Sequence, residues 1–227
     1  MAITQAQLQT AQAAQRLAAH DLNTQVRLVA GPGTGKSSAI EERVRHLLAD
    51  GISPQRINVV SFTRASVRDL KYRLIDYCNV HQQAGADQVR VSTLHSLALR
   101  TLRAANLLAY YPADPLVLGP WEQEHIFDAE YRIIHHTTKD RTEEIRRDHE
   151  AFWSTGQHNP PNYIPPNPPI STAERNAFIN FHGPRTQCYS CVLPGETIRQ
   201  CLAQVNSGVL DPVQLLQIDH LIAVQVS

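Results

Sequence analysis

The feature that most constrains this chain is a glycine-rich segment placed between an apolar run and a helical pattern. The segment spans Ala30 to Ser37, reads Ala-Gly-Pro-Gly-Thr-Gly-Lys-Ser, and follows the apolar run Val26–Val29. Glycines reach backbone conformations closed to other residues, so that successive N–H groups converge on one anion. The helix that follows adds its positive N-terminal end. A strand, a glycine-rich turn and a helix in this order predict a phosphate cradle for a nucleoside triphosphate.

Two residues at the end of the segment have expected roles of their own. Lys36 would reach the β- and γ-phosphates, and the Ser37 hydroxyl would ligate Mg²⁺. The alternative is a glycine-rich turn that binds nothing, and the elements on both sides argue against it. The predicted nucleotide-binding residues of the segment are Ala30, Gly31, Pro32, Gly33, Thr34, Gly35, Lys36 and Ser37.

Composition bounds the class of protein. The chain has 227 residues, of which 42% are hydrophobic, enough for a packed core. It contains no run of about eighteen apolar residues, and its N-terminus lacks the pattern of a signal peptide. Its four cysteines are expected to be reduced thiols, so the sequence predicts a soluble, cytoplasmic protein.

The net charge of zero hides an asymmetry between the two halves of the chain. Residues 1–110 carry 13 lysines and arginines against 7 acidic residues, whereas residues 111–227 carry 8 against 14. Arginine accounts for 18 of the 21 basic residues, and its planar fork suits phosphate contacts. The basic half favours a nucleic-acid partner, although a solvated surface has the same composition.

Strand and helix patterns alternate through the first hundred residues. The predicted order is helix 4–19, strand 26–30, a helix through Ile40 and Leu48, strand 57–62, a helix through Val67 and Leu74, and strand 89–93. Such alternation implies parallel strands joined by right-handed crossovers. The sequence therefore predicts an α/β nucleotide-binding layer.

The pattern changes near residue 99. Residues 96–109 and 121–151 have helical patterns, and six of the fourteen prolines lie within 160–169. A proline-rich run of this kind is a stiff connector or a ligand for a partner protein. The region 99–208 shows no strand–helix alternation, so we expect a helical insertion there.

Three ordered motifs and a fourth upstream resemble those of UvrD/Rep-type superfamily-one DNA helicases. They are Ala30–Ser37 (Walker A), Val60–Ala65 (motif Ia, Val-Ser-Phe-Thr-Arg-Ala), Val91–Ser96 (motif Ib, Val-Ser-Thr-Leu-His-Ser) and Ile3–Gln7, similar to the adenine-sensing glutamine motif. The resemblance implies a RecA-like P-loop NTPase sheet with an inserted, mostly helical subdomain. Residues 1–98 would be the first part of the motor domain, 99–208 the insertion and 209–227 the returning strand.

The resemblance also implies an ATP-dependent DNA helicase that binds ATP, Mg²⁺ and single-stranded DNA. It places Gln7 at the adenine, and it implies DNA contacts from Phe62, Thr63, Arg64, Thr93 and His95. Physical reasoning agrees, because a motor on single strands needs a ring to stack bases and polar groups to hold phosphates. Alternatives stay open: Phe62 as a core side chain, His95 as an ordinary helix N-terminal residue, and Gln7 as part of a capping box with Thr4.

In the family, the returning strand is followed by Asp-Glu-x-Gln-Asp, which binds Mg²⁺ and activates water. Here the return begins near Leu215, and the sequence then reads Val-Gln-Val-Ser from Val224 to Ser227. Asp219 is the one acidic residue there, at a register that looks too early. We therefore expect an N-terminal fragment of a helicase that binds nucleotide weakly and lacks full activity.

Two other classes of protein remain as alternatives. One is a stand-alone P-loop ATPase, which would need a complete acidic metal site within the chain. The other is a non-catalytic nucleic-acid-binding module that uses the basic half. A structural zinc site is a further candidate, with the ligands Cys188, Cys191, Cys201 and His182, of which only one pair has tight spacing.

Overall fold

The computed structural model describes residues 5–21, 23, 26, 35–109, 111, 114–158, 160 and 163–224. The chain divides into two compact units. Residues 1–94 and 217–227 form the first unit, and residues 95–216 form the second. The domain limits expected from the sequence, 98/99 and 208/209, differ from these by four and eight residues and stay a prediction.

The helices and strands alternate at first and then become mainly helical. In chain order they are α1 (Gln5–Ala19), α2 (Lys36–Ala49), β1 (Ile57–Ser61), α3 (Arg64–Val80), β2 (Arg90–Thr93), α4 (Leu94–Ala104), β3 (Leu116–Val117), α5 (Pro120–Glu122), a π-helical turn (Gln123–Phe127), α6 (Asp128–His135), α7 (Lys139–Thr155), α8 (Thr172–Tyr189), β4 (Cys191–Val192), α9 (Pro194–Asn206), α10 (Pro212–Leu215) and β5 (His220–Val224). This is a mixed helix and sheet architecture, as expected.

A parallel three-stranded sheet organises the described part of the first unit. Its order is β2–β1–β5, and Ser61 at the end of β1 is in register with Thr93 of β2 and Val224 of β5. All five residues of β1 are buried, as expected of a central strand covered on both faces. Because the strands are parallel, their carboxyl ends form one edge of the sheet, which we call the carboxyl edge.

Helices α2 and α3 pack against this sheet through one apolar face each. The core residues they contribute include Val44, Leu47, Leu70 and Leu74, which are 5% exposed or less. Fully burying one such side chain contributes about 1.5–3 kcal/mol. The apolar spacing that predicted these two helices is therefore the spacing that builds the core.

Helix α1 is held against α2 by an arginine. The Arg43 guanidinium donates to the backbone oxygens of Ala19, at 3.0 Å, and Asp21, at 2.7 Å. These carbonyls lie at and just beyond the end of α1, where backbone oxygens have no partner within the helix. Arg43 therefore caps α1 and fixes its end beside α2.

The second unit is mainly helical, with a core of aromatic side chains. Its buried rings belong to Phe127, Tyr131, Trp153, Phe178 and Phe181. The two-residue strands β3 and β4 pair in parallel and add a small ladder that the sequence did not predict. The expectation of a mainly helical region agrees with this unit.

The sequence misplaced the start of the returning strand. Leu215, expected in that strand, ends the short helix α10, and β5 begins only at His220. Asp211 precedes α10 and accepts hydrogen bonds from the backbone N–H groups of Val213 and Gln214. This N-cap starts a helix, so the apolar residues that follow belong to it.

Candidate nucleotide and nucleic-acid site

Gly35 sets the geometry at the end of the glycine-rich segment. Residues 27–34 lie outside the described residues. They include most of the predicted strand 26–30 and the loop positions Ala30, Gly31, Pro32, Gly33 and Thr34. Gly35 has φ +80°, in the left-handed region that favours glycine. A Cβ there would also lie 2.3 Å from Nε2 of Gln15. The positive φ is therefore what favours glycine at position 35, and a larger residue would in addition displace the end of the Gln15 side chain.

Lys36 and Ser37 are the first two residues of α2, and both are half-buried. The first turn of this helix has no acidic side chain and no side-chain cap. N–H groups at the start of a helix lack partners within the helix, and the helix dipole favours negative charge at this end. The arrangement suits a phosphate next to Lys36, as the motif predicts.

The start of α2 lies toward the carboxyl edge of the sheet. Near its other end, Leu48 contacts the position of Gly85, which precedes β2, so this end lies at the amino edge. A helix of 14 residues is about 20 Å long. Lys36 therefore lies on the same side of the sheet as the carboxyl ends of β1 and β2.

A groove of about 450 Å³ runs beside this site between three helices. It extends from Gln12 and Gln15 of α1, past Ser38 of α2, to Tyr77 of α3 and to His81, which follows α3. Its volume is within the range of small-molecule sites. No sequence pattern pointed to these residues, because only the packing of three helices brings them together. Gln7 belongs to α1, but its side chain lies outside the described residues.

Glu42 gathers the polar groups of this groove. Its carboxylate accepts hydrogen bonds from Arg45, at 2.7 and 2.8 Å, and from the Tyr77 hydroxyl, at 2.9 Å, and lies 2.7 Å from the His20 ring. The Arg45 hydrogen bonds, with smaller effects from His20 and Tyr77, lower the pKa of Glu42 to about 2. Glu42 is thus ionised at neutral pH and ties α2 to α1 and α3.

Four of the predicted DNA-binding residues come together at the carboxyl edge. Phe62, Thr63 and Arg64 follow β1 directly, and Thr93 ends the neighbouring strand β2. Phe62 is 58% exposed, so it is not a core residue. Thr63 caps α3, because its hydroxyl accepts from the backbone N–H of Ser66 at 3.0 Å. An exposed ring beside an exposed arginine is compatible with the predicted contact to a single-stranded nucleic acid.

His95, the fifth predicted DNA-binding residue, follows Thr93 by two positions. It is the second residue of α4 and the first residue of the second unit. Burial lowers the pKa of its imidazole, which is accordingly neutral at pH 7. The structure thus gives His95 no positive charge for a phosphate, and its predicted DNA contact stays a prediction.

Asp219 cannot replace the acidic pair that the family places after the returning strand. Its backbone N–H donates to the Arg56 oxygen at 2.9 Å, and its carboxylate forms an ion pair with the Arg56 guanidinium at 2.7 Å. Both residues precede strands, β5 and β1, and so lie at the amino edge. This edge is opposite to the start of α2, so Asp219 is not placed to hold a metal ion or water there, in agreement with its early register.

The zinc candidate finds no support. Within the described part of the chain, no group of three or more His, Cys, Asp or Glu side chains is placed to hold a metal ion. Cys188 is exposed whereas Cys191 is buried, and His182 lies 3.1 Å from the Glu196 carboxylate. The tight Cys-x-x-Cys spacing thus spans the end of α8 without forming a site.

Comparison with known proteins identifies the family. The model of the UvrD/REP helicase N-terminal domain matches residues 11–219, and the chain belongs to this family. It is similar to an ATP-dependent helicase/nuclease subunit from Staphylococcus aureus, with 25% identity over 177 residues in strain MRSA252 and 26% over 171 in strain JH9. These matches cover 64% and 61% of this chain but only 14% of each relative.

Among the helices of the described residues, none is both long enough and apolar enough to cross a bilayer.

Proposed function

We propose that this chain is the ATP- and single-stranded-DNA-binding part of an ATP-dependent DNA helicase of the UvrD/Rep type. In this proposal the first unit is the RecA-like motor domain, and the second unit is its inserted helical subdomain. The second unit interrupts the first between Leu94 and Gln217, which supports this assignment. The observation that carries the proposal is that the start of α2 and the exposed Phe62 lie on the same edge of the parallel sheet.

We assign residues of the chain to each part of the nucleotide and to Mg²⁺. Lys36 and the first-turn N–H groups of α2 would bind the β- and γ-phosphates, and the Ser37 hydroxyl would ligate Mg²⁺. The groove past Gln15 and Ser38 would receive the rest of the nucleotide. When bound, Mg²⁺ neutralises phosphate charge, and the residues named here position the nucleotide.

We also propose that the chain does not by itself show DNA-stimulated hydrolysis. Phosphoryl transfer needs a positioned water, usually held by an acidic or amide side chain. The residues directly after β1, β2 and β5 are Phe62, Leu94 and Gln225, and none of them is acidic. Asp219 lies at the other edge. Strong ATPase activity stimulated by single-stranded DNA would contradict this part of the proposal.

A nucleotide titration tests the phosphate site. Fluorescent ATP with Mg²⁺ should bind the wild-type chain, and Lys36→Ala should weaken binding about tenfold to a hundredfold, because charge-assisted hydrogen bonds contribute about 1.5–3 kcal/mol. Lys139→Ala is the matched control, since Lys139 is exposed in the second unit and pairs with Glu124. Equal affinity in wild type and Lys36→Ala would refute the nucleotide site.

A DNA titration tests the ring at the carboxyl edge. Phe62→Ala should weaken binding of a labelled oligo-dT at least about fivefold, since stacking contributes about 1–3 kcal/mol per base. Trp121→Ala is the control, because Trp121 is an exposed aromatic residue of the second unit. Binding that is indifferent to ATP and to Lys36→Ala would instead indicate a non-catalytic nucleic-acid-binding module.

A further inference from the structure

Helix α3 carries three cations on one face that the helicase motifs do not include as a group. Arg64, Arg68 and Lys71 follow the i, i+4, i+7 spacing and are all exposed. Within the described residues, none of the three forms an ion pair or a side-chain hydrogen bond. We call these three residues the α3 basic stripe. Three cations without acidic partners form a surface that attracts an anion.

The acidic residues near α3 serve another face of the helix. Arg73 lies 2.7 Å from the Glu41 carboxylate of α2 and 4.0 Å from Asp69. Arg73 is nine residues from Arg64, so the two side chains project from opposite sides of α3. The face with Arg73 packs toward α2, whereas the basic stripe projects away from it. The positive charge of the stripe is therefore not neutralised by the contacts that hold α3.

The stripe is continuous with the exposed ring at the carboxyl edge. Arg64 is two residues beyond Phe62, and the rise from Arg64 to Lys71 is about 10 Å. Tyr72, which is 69% exposed, flanks the stripe with a second ring. Rings interleaved with cations are what single strands bind, because bases stack while phosphates meet positive charge. An acidic peptide would use the cations but has no bases to stack on the rings.

We propose that the α3 basic stripe binds the phosphate backbone of a single-stranded nucleic acid whose bases stack on Phe62. The single-stranded nucleic acid continues from the carboxyl edge along the exposed face of α3. Arg68 and Lys71 therefore extend the binding surface beyond the motif residues. The proposal rests on the proposed function, because it assumes that the strand binds at the carboxyl edge.

The dependence of binding on salt concentration measures these contacts. Anisotropy of a fluorescein-labelled oligo-dT would be titrated with the full chain between about 50 and 200 mM NaCl. The logarithm of the association constant falls as the logarithm of the salt concentration rises. The double variant Arg68→Gln/Lys71→Gln should make this negative slope shallower by about 1.4, and should weaken binding about 25-fold near 0.1 M salt. Both positions are exposed, and circular dichroism confirms that the variant is folded.

Three comparisons keep the result specific. Arg68→Lys should retain the wild-type slope, because the charge is kept. Arg199→Gln, at an exposed arginine in the second unit, should change neither slope nor affinity. Phe62→Ala should weaken binding without changing the slope, since it removes a ring and no charge.

The outcomes separate this inference from the proposed function. An unchanged slope in the double variant, with binding still sensitive to Phe62→Ala, refutes the stripe and leaves the proposed function standing. An absence of oligo-dT binding by the wild type refutes both. Poly-glutamate, added at the same concentration of charge, tests the alternative of an acidic protein. If poly-glutamate displaces the oligonucleotide, and if the double variant reduces the salt dependence of poly-glutamate binding by the same amount, the stripe is a site for acidic protein and the assignment to nucleic acid is wrong.

Discussion

The aromatic core of the second unit contains an imidazole that should make this unit sensitive to acid. His149 is 1% exposed, and its ring stacks on Phe178 with centroids 4.5 Å apart. Its Nε2 has no hydrogen-bond partner among the described residues. Burial is the main cause that lowers the pKa of His149 from 6.5 to about 4, against a smaller opposing effect of Asp148. The folded unit therefore holds this ring neutral.

The sign of the pH effect follows from the direction of this shift. As the pH falls below 6.5, the unfolded chain takes up a proton that the folded unit does not, so stability is lost progressively toward the folded pKa of about 4. With these two pKa values, the free energy of unfolding at pH 5 is about 2 kcal/mol lower than at pH 7.5. This is a large fraction of the stability of an ordinary domain.

Urea unfolding followed by tryptophan fluorescence measures this effect, because both tryptophans, Trp121 and Trp153, belong to the second unit. His149→Phe keeps an aromatic ring in the stack and removes the titration. The loss of stability between about pH 7.5 and 5 should be about 2 kcal/mol smaller in this variant than in wild type. Taking the difference cancels the carboxyl groups common to both chains.

The exposed His136 gives the matched control. His136→Asn removes an imidazole outside the aromatic core, at a left-handed position that asparagine tolerates. It should therefore retain the wild-type loss of stability. If His149→Phe and wild type lost the same stability over this pH range, the reasoning from burial of His149 would be refuted.

Three further results are expected. Gly35→Ala should weaken binding of fluorescent ATP, because it adds backbone strain and a contact with the Gln15 side chain next to Lys36. Gly51→Ala is the control, because Gly51 also has a positive φ, +83°, but nothing lies within 4 Å of the new Cβ. This control should lower the free energy of unfolding in urea by about 1–2 kcal/mol and leave ATP affinity unchanged. Asp219→Asn should leave ATP affinity at the wild-type value, since Asp219 lies at the amino edge; a tenfold loss would return it to the metal site. Phe178→Ala should lower the free energy of unfolding by about 3–5 kcal/mol, seen by tryptophan fluorescence, and a loss under about 1 kcal/mol would contradict the packing described.

The sequence predicted the parts of the fold that depend on local pattern. The apolar run at 57–62 became the buried strand β1, which ends at Ser61, one residue before the exposed Phe62. The expected helix before the glycine-rich segment is α1 (Gln5–Ala19). Apolar periodicity sufficed here because these elements bury the side chains that define the pattern.

Other features depended on which of two competing local signals prevails. Apolar residues lie on both sides of Asp219, so the pattern alone allowed a strand before it or after it. The pair Asp211 and Pro212, an N-cap followed by a first helical residue, is the signal that would have placed α10 and delayed the strand to His220. The groove past Gln15 and Tyr77 had no such signal, because it arises from the packing of three helices.

Three consecutive charged residues of α2 connect the proposed nucleotide side of the first unit to its proposed nucleic-acid side. On α2, Glu41 contacts Arg73 of α3, Glu42 accepts from Tyr77 of α3, and Arg43 caps α1. Burial raises the pKa of Glu41 even beside Arg73, whose own side chain stays partly exposed. The helix that begins at Lys36 and the helix that begins at Arg64 are thus joined midway by polar contacts of defined geometry. A displacement of α2 by bound nucleotide would have to move α3 or break these contacts, and a movement of α3 carries Arg64 and the basic stripe with it.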